Sequence, residues 1–352
     1  MGQRANLLIL KDNTYELYYD HWCANTLPQD LFWGPTHAIK FIQAQERVES
    51  DDWLDNVWAE GGAVIDTDRN VFLLFGGEDI LYDVPLRKMY LRLIQSPWRG
   101  WDIQWAHRGI VDLARYVGYP EEKVIDEADI KGGEMRWEPP EDIESINIVG
   151  SIKFKDQGCL LFPLFGEVEL IIENGPAILD NVVQEYGHPR VDLNTYTKEF
   201  PTGGFHIDVQ RRELRFWQAS GVYDLESIRK QWFGWTVYWF KDEYEKQVEW
   251  TDRNIVFPLK TDKQLVNELQ SILMQETMNP VHSILELANV MAAEGKDTEI
   301  NSSTLSHQHI SLPIQKRREI LEKAVCEISG LAYPGTGDLK SKWWGRLLRR
   351  EK

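Results

Sequence analysis

The feature that most restricts the fold of this chain is a long internal repeat. Gly61-Gly62-Ala63-Val64-Ile65-Asp66-Thr67-Asp68-Arg69 recurs as Gly203-Gly204-Phe205-His206-Ile207-Asp208-Val209-Gln210-Arg211, a shift of 142 positions. Upstream, Gly34-Pro35 matches Gly175-Pro176 at a shift of 141, and downstream Tyr82-Asp83 matches Tyr223-Asp224 at the same shift. Trp98-Arg99-Gly100-Trp101 with Trp105 then matches Trp232-Phe233-Gly234-Trp235 with Trp239, a shift of 134. Before this motif the first copy is longer by about two helical turns, which a helix accepts without rotating its apolar face much. The openings agree as well, Leu10-Lys11-Asp12-Asn13 against Phe154-Lys155-Asp156-Gln157. Gly, Pro and Trp matching in the same order predict a tandem duplication.

Each copy reads as β-β-α-β-β-α-β. Leu7–Leu10 and Tyr15–Tyr19 flank the turn residues Lys11-Asp12-Asn13-Thr14, a hairpin signal. Helical spacing follows over Thr36–Gln45, then a second hairpin, Gly62–Asp66 with Val71–Phe75. A helix over Val84–Gln95 and a closing strand over Trp101–Trp105 complete the unit. In the second copy Gly166–Ile172 reads as an additional or longer strand. The fold class expected is α+β, a tandem duplication with mostly antiparallel sheets and a C-terminal helical region. The boundaries expected are 1–120 for the first repeat, 121–145 for an acidic linker, 146–260 for the second repeat and 261–352 for the helices. Within the last region Asp262–Glu276, Pro280–Glu294, Pro313–Ser329 and Asp338–Arg350 carry helical spacing, and Lys296–His309 reads as a mobile polar loop.

Charge narrows the partners. The 352 residues carry a net −17, of which −6 falls in residues 1–120 and −7 in residues 121–150. Such a surface repels a phosphate backbone, so general nucleic-acid binding is not expected and a basic protein partner is. No apolar run approaches the length of a membrane span. Three cysteines without a CxxC pair argue against a disulfide framework and for a reducing cytoplasm.

Chemistry-bearing motifs are sparse. Gly61-Gly62 and Gly203-Gly204 precede strands with no helix behind them, so they are backbone features and not phosphate loops. Asp66 with Arg69, and Asp208 with Arg211, sit at hairpin turns where Asp caps its own loop. No metal-ligand spacing occurs among the eight histidines, and no cofactor is expected. The catalytic candidates are His21 and Cys23, which would share one face of an extended strand, and His107. Fifteen tryptophans suit either core packing or a protein interface. For binding, the acidic and aromatic cluster Asp51, Asp52, Trp53, Asp55 and Trp58 stands out. The basic segment Lys340–Arg350, with Trp343, Trp344, Leu347 and Leu348, is expected to fold back on the acidic body, a membrane or nucleic acid being the alternatives.

Met1-Gly2-Gln3-Arg4-Ala5-Asn6, with Tyr18, Tyr19, His21 and Trp22, resembles uncharacterised bacterial and phage proteins. Those open Met-Gly-x-Arg and carry a Tyr-x-His-Trp hairpin. The likeness covers residues 1–22, and the Asp-Gly-Tyr-Pro turn that usually follows in those proteins is absent here. The resemblance implies a bacterial setting and no activity. The function expected is that of a cytoplasmic protein-binding protein, such as an immunity or antitoxin-type inhibitor of a basic protein. The alternatives are a hydrolase with its site between the repeats, and a structural or regulatory subunit of an assembly.

Overall fold

Apolar alternation and a two-residue turn make the first hairpin. In the computed structural model β1 (Ala5–Lys11) and β2 (Thr14–Asp20) pair antiparallel, and the turn residues Asp12 and Asn13 have φ of 52° and 57°. Asp and Asn tolerate that left-handed conformation better than other side chains, and it matches the twist of a tight hairpin. The structure describes residues 3–126, 136–155, 158–222, 224–276, 279–296, 300 and 302–330. The expected segment Lys340–Arg350, the middle of the acidic linker, and Asp156, Gln157 and Tyr223 of the repeat lie outside the described residues.

After the hairpin come α1 (Leu27–Leu31), α2 (Pro35–Gln43) and the short strand β3 (Glu46–Val48). The second hairpin is β4 (Gly61–Asp66) with β5 (Val71–Phe75). Then α3 (Glu78–Tyr82), α4 (Val84–Ile94), β6 (Asp102–Trp105) and α5 (Ile110–Val117) complete the first half. Its sheet runs β3-β2-β1-β4-β5-β6, antiparallel within each hairpin and parallel at β1–β4 and β5–β6.

The second half holds β7 (Ile148–Phe154), β8 (Gly158–Leu164), α6 (Val168–Ile172) and the two-residue β9 (Val191–Asp192). It continues with β10 (Gly203–Asp208), β11 (Glu213–Gln218), α7 (Leu225–Gln231), β12 (Thr236–Trp239), α8 (Glu245–Trp250) and β13 (Ile255–Val256). Its sheet runs β12-β11-β10-β7-β8, parallel at β7–β10 and β11–β12 and antiparallel in both hairpins. Among the described residues the chain is therefore an α+β protein with two main sheets and a small parallel pair of β9 with β13.

The glycine pairs and the W-x-G-W motifs have matching physical roles in the two halves. A Cβ on Gly62 would lie 2.7 Å from Leu113 of α5, and one on Gly204 would lie 2.1 Å from Gln247 of α8. The missing side chains let a helix sit flat on each central strand. Trp98 donates its indole N–H to the Leu31 carbonyl and Trp232 donates to that of Ile172. Each packs edge-on against the second Trp of its motif at 5.1 Å. These buried tryptophans are core, and their polar edge is satisfied.

Two expectations need correcting. Gly166–Ile172 is not a strand. Over Val168–Ile172 the chain is helical and buries Val168, Ile171 and Ile172, an i, i+3, i+4 set that a short apolar run can serve as well as strand pairing. The polar stretch ending at His309 is not loose either, because its described part is tied to the first half by side chains set out below. Of the C-terminal helices, α9 (Asp262–Met274) opens with a Thr261–Gln264 capping box. Both α9 and α11 (Ile314–Ile328) pack on α4 and bury Leu265, Leu269, Leu273, Leu321 and Val325 in the first half's core. Between them lies α10 (Pro280–Ala293), which buries none of its residues.

Candidate functional site

The loop from Glu49 to Glu60 carries every expected binding residue, and its backbone is held from several sides. Leu54 donates its N–H to Asn6 Oδ1 at 2.8 Å, and Asn56 donates to the Val124 carbonyl at 2.9 Å. Asp55 is half-buried, and its Oδ1 accepts the N–H groups of Val57 and Trp58. Trp53 is also half-buried, stacked on Tyr119 at 5.0 Å and donating its indole N–H to the Ser50 carbonyl. Its ring therefore props the loop. Trp58 is the aromatic presented to solvent, 52% exposed beside Val57 at 54%. The Arg4 guanidinium lies 4.6 Å over the Trp58 ring and steadies it. Asp51, Asp52 and Glu60 of the same loop are exposed as well.

The corner after β2 gathers the other chemistry. β2 ends at Asp20, so the strand alternation expected to align His21 with Cys23 stops before reaching them. Instead Asp20 Oδ1 accepts the N–H groups of Trp22 and Cys23, both at 2.7 Å, and folds them into a capped turn. Cys23 is wholly buried, and that burial, with Asp20 and Asp30 nearby, pushes its thiol well above the ordinary range. A thiol so placed is no nucleophile. His21 is buried too, its Nδ1 hydrogen-bonded to the Tyr19 hydroxyl at 2.8 Å.

The partner of Asp20 arrives from far along the chain. His307 Nδ1 lies 2.8 Å from Asp20 Oδ2, and both side chains are buried. Burial alone would lower the His307 pKa, but the hydrogen bond and charge of Asp20 outweigh it and hold the imidazole above its usual value. Asp20 is pulled up by burial and down, more strongly, by His307 and the two backbone N–H groups, so it stays below its usual value. Trp22 donates its indole N–H to the Thr304 carbonyl, and Gln45 exchanges two hydrogen bonds with the backbone of Gln308. Three attachments thus fix a segment that its composition alone marks as loose.

Beside this pair is a cavity of about 320 Å³ lined by Trp22, Thr26, Asp30, Ile284, His307 and His309, among others. Asp30 accepts the Thr26 hydroxyl at 2.7 Å, and burial raises its pKa to about 7. The cavity has groups able to take up and release protons near neutrality, yet its one buried imidazole is already paired and the Cys23 thiol is inert.

His107 is elsewhere, where the halves meet. Its Nδ1 is 4.0 Å from Asp242 Oδ1, and burial lowers its pKa to about 4, with Arg87 adding to the effect. Nearby, a cleft of about 530 Å³ is lined by Arg108, Arg115, Glu121, Glu226, Arg229 and Trp239, among others. Arg108 and Arg115 are paired with Glu121, and Arg229 with Glu226. Among the described residues there is no group of three or more His, Cys, Asp or Glu able to hold a metal ion, and no helix long and apolar enough to cross a membrane.

Comparison with protein-family models, with curated proteins and with solved structures found no match to this chain. The site residues missed by sequence reasoning are Asp20, Asp30 and His307 as a group. No local signal could have joined them, because Asp20 and His307 are 287 positions apart.

Proposed function

We propose that this chain acts by binding a basic protein partner through the loop of residues 49–60, as an immunity or antitoxin-type inhibitor would. The observation that carries the reading is the pair Val57 and Trp58, exposed by more than half on a backbone held at several points, in a loop that also exposes Asp51, Asp52 and Glu60. A preorganised aromatic loses little freedom on binding, and exposed carboxylates of the same loop draw a basic surface toward it. The net −17 of the chain supports the same polarity. The free cysteines, two of them buried, suit the reducing cytoplasm of a bacterium.

A hydrolase working in the cleft between the halves has less support. The arginines that line the cleft are matched by carboxylates, and neither His nor Cys is among its lining residues.

We also infer that the two halves arose by duplication. Support comes from the matched order of pairing senses around β1, β2, β4, β5 and β6 against β7, β8, β10, β11 and β12.

The deciding experiment is capture from a bacterial lysate on immobilised full-length protein, followed by mass spectrometry. A basic protein retained by the native chain and lost with Trp58→Ala is expected. Retention unaffected by Trp58→Ala, or a captured partner that is acidic, overturns the proposal.

A further inference from the structure

Helix α10 breaks the pattern of its neighbours. Its fourteen residues, Pro280–Ala293, include one charged side chain, Glu286, yet none of the fourteen is buried. Leu285, Leu287 and Val290 are 42%, 60% and 55% exposed. By contrast α9 buries three leucines and α11 buries six residues. A surface helix ordinarily turns its apolar stripe inward, and an apolar helix left outside calls for something to cover it. On one side α10 roofs the cavity at Asp30 through Pro280, Ser283 and Ile284. Leu287 and Val290, three positions apart, share another flank, with Glu286 and Glu294 at helical spacing beside them.

The chain itself contains a segment of complementary character. Residues 331–352 hold six basic and two acidic side chains within an acidic protein. In Lys340–Arg350 the apolar residues Trp343, Trp344, Leu347 and Leu348 fall at i, i+1, i+4 and i+5, with Lys342, Arg346, Arg349 and Arg350 between and around them. That spacing makes one apolar stripe bordered by cations. Two tryptophans and two leucines are of the size needed to cover an exposed two-turn flank, since an aromatic alone buries roughly 150–250 Å². Trp343 lies thirteen residue steps beyond Gly330, which reach as far as about 43 Å, roughly twice the radius of gyration of a compact chain of this length.

We propose that the flank of α10 formed by Leu287 and Val290 is the seat of this chain's own segment 340–350, with Glu286 facing its basic residues, Glu294 being already paired with Lys296 at 2.8 Å. The other occupants fit less well. A helix that lies on an anionic membrane carries Lys and Arg on its polar face, and α10 carries none. A second copy would bring a second −17 toward the first.

The test is a photo-crosslinking benzoylphenylalanine placed at position 287 in the full-length chain, a site exposed enough to accept it. After irradiation at several protein concentrations, mass spectrometry should find the crosslink inside one chain and within residues 340–350, with a yield independent of concentration. The double variant Trp343→Glu, Leu347→Glu should abolish it, and hydrogen exchange over α10 should rise about tenfold in that variant. Crosslinks between chains, crosslinks to lipid when phosphatidylserine vesicles are added, crosslinks to any other segment, or no crosslink at all would each overturn the proposal. So would unchanged exchange over α10 in the double variant.

Discussion

The guanidinium of Arg87 meets the carboxylate of Asp242 at 2.8 Å, and it does so with none of the arginine exposed. Arg87 stands on α4 of the first half and Asp242 follows β12 of the second, so the pair joins the two sheets. Arg87 also donates to the carbonyls of Leu81 and Ala219 and lies 4.5 Å over the Trp105 ring. Removing one member of a buried pair leaves the other uncompensated. Arg87→Met should therefore cost about 3–5 kcal/mol in denaturant unfolding, and adding Asp242→Asn should recover a large part of it. The single change should also raise the pKa of His107, which then keeps Asp242 without the repulsion of Arg87. If the double variant is no more stable than the single one, the pair is not what joins the halves.

The Asp20–His307 pair sets a pH window for the segment it anchors. His307 is held above the ordinary imidazole value of 6.5, so its contribution is whole below that pH and is lost as pH rises through the folded value. Asp20 is held below 3.8, so its contribution is present above that pH and is lost as pH falls through the folded value. The attachment is strongest between about pH 4 and 6.5. Limited proteolysis near Gln308 should be slowest in that window and faster in mild alkali. His307→Gln should remove most of the difference. Cleavage equally slow from pH 5 to pH 9 in the native chain would contradict this assignment.

The hairpins were legible because their signals are local. Asp12-Asn13 demands a tight turn, and Asp66 caps the next one by accepting the N–H groups of Asp68 and Arg69. The W-x-G-W motifs were legible as packing because large rings recur at matching places. Arg87 was not legible, since an arginine in a helix reads as a solvated charge until the opposite half covers it. Trp53 and Trp58 look alike in sequence and differ in role, because Tyr15 and Tyr119, distant in sequence, enclose one ring and not the other. Distances along the chain hid the Asp20–His307 contact for the same reason.

Asp30 is a second source of pH dependence, opposite in sign to an ordinary surface carboxylate. Its folded pKa of about 7 exceeds the unfolded 3.8, so the native state loses stability as pH climbs between those values. Asp30→Asn keeps a partner for Thr26 and removes the ionisation. It should stabilise the protein by roughly 2–4 kcal/mol at pH 8 and leave it nearly unchanged at pH 4. Equal effects at both pH values would show that packing, and not ionisation, is what the substitution alters.

Thiol reactivity gives a direct check on the corner at Cys23. Burial raises the Cys159 pKa to about 11, while Cys23 and Cys326 are buried in the first half's core or against it. Iodoacetamide at pH 8 should modify Cys159 slowly and the other two only after unfolding. Cys23→Ser should cost about 1–3 kcal/mol by burying a hydroxyl, without loss of binding in the folded fraction. Rapid native-state labelling of Cys23 would restore it as a nucleophile.

The partner face can be separated into a steering part and an anchoring part. Asp51 and Asp52 are exposed and act at a distance, so Asp51→Asn with Asp52→Asn should slow association without much change in dissociation. At ~0.15 M salt the Debye length is about 8 Å, and raising the salt should therefore reduce the native on-rate toward that of the double variant. Trp58 acts only on contact, so Trp58→Ala should raise the off-rate, by about tenfold or more if it fills a pocket of the partner. Trp53→Ala should behave differently from both. It removes the prop between Tyr15 and Tyr119, which should destabilise the fold and loosen the loop, so that the loss of affinity tracks the loss of order measured by hydrogen exchange. Surface plasmon resonance on the captured basic protein reads all three variants. An on-rate flat between low and high salt rules out the steering role of the acidic loop, and an off-rate indifferent to Trp58 rules out the anchor.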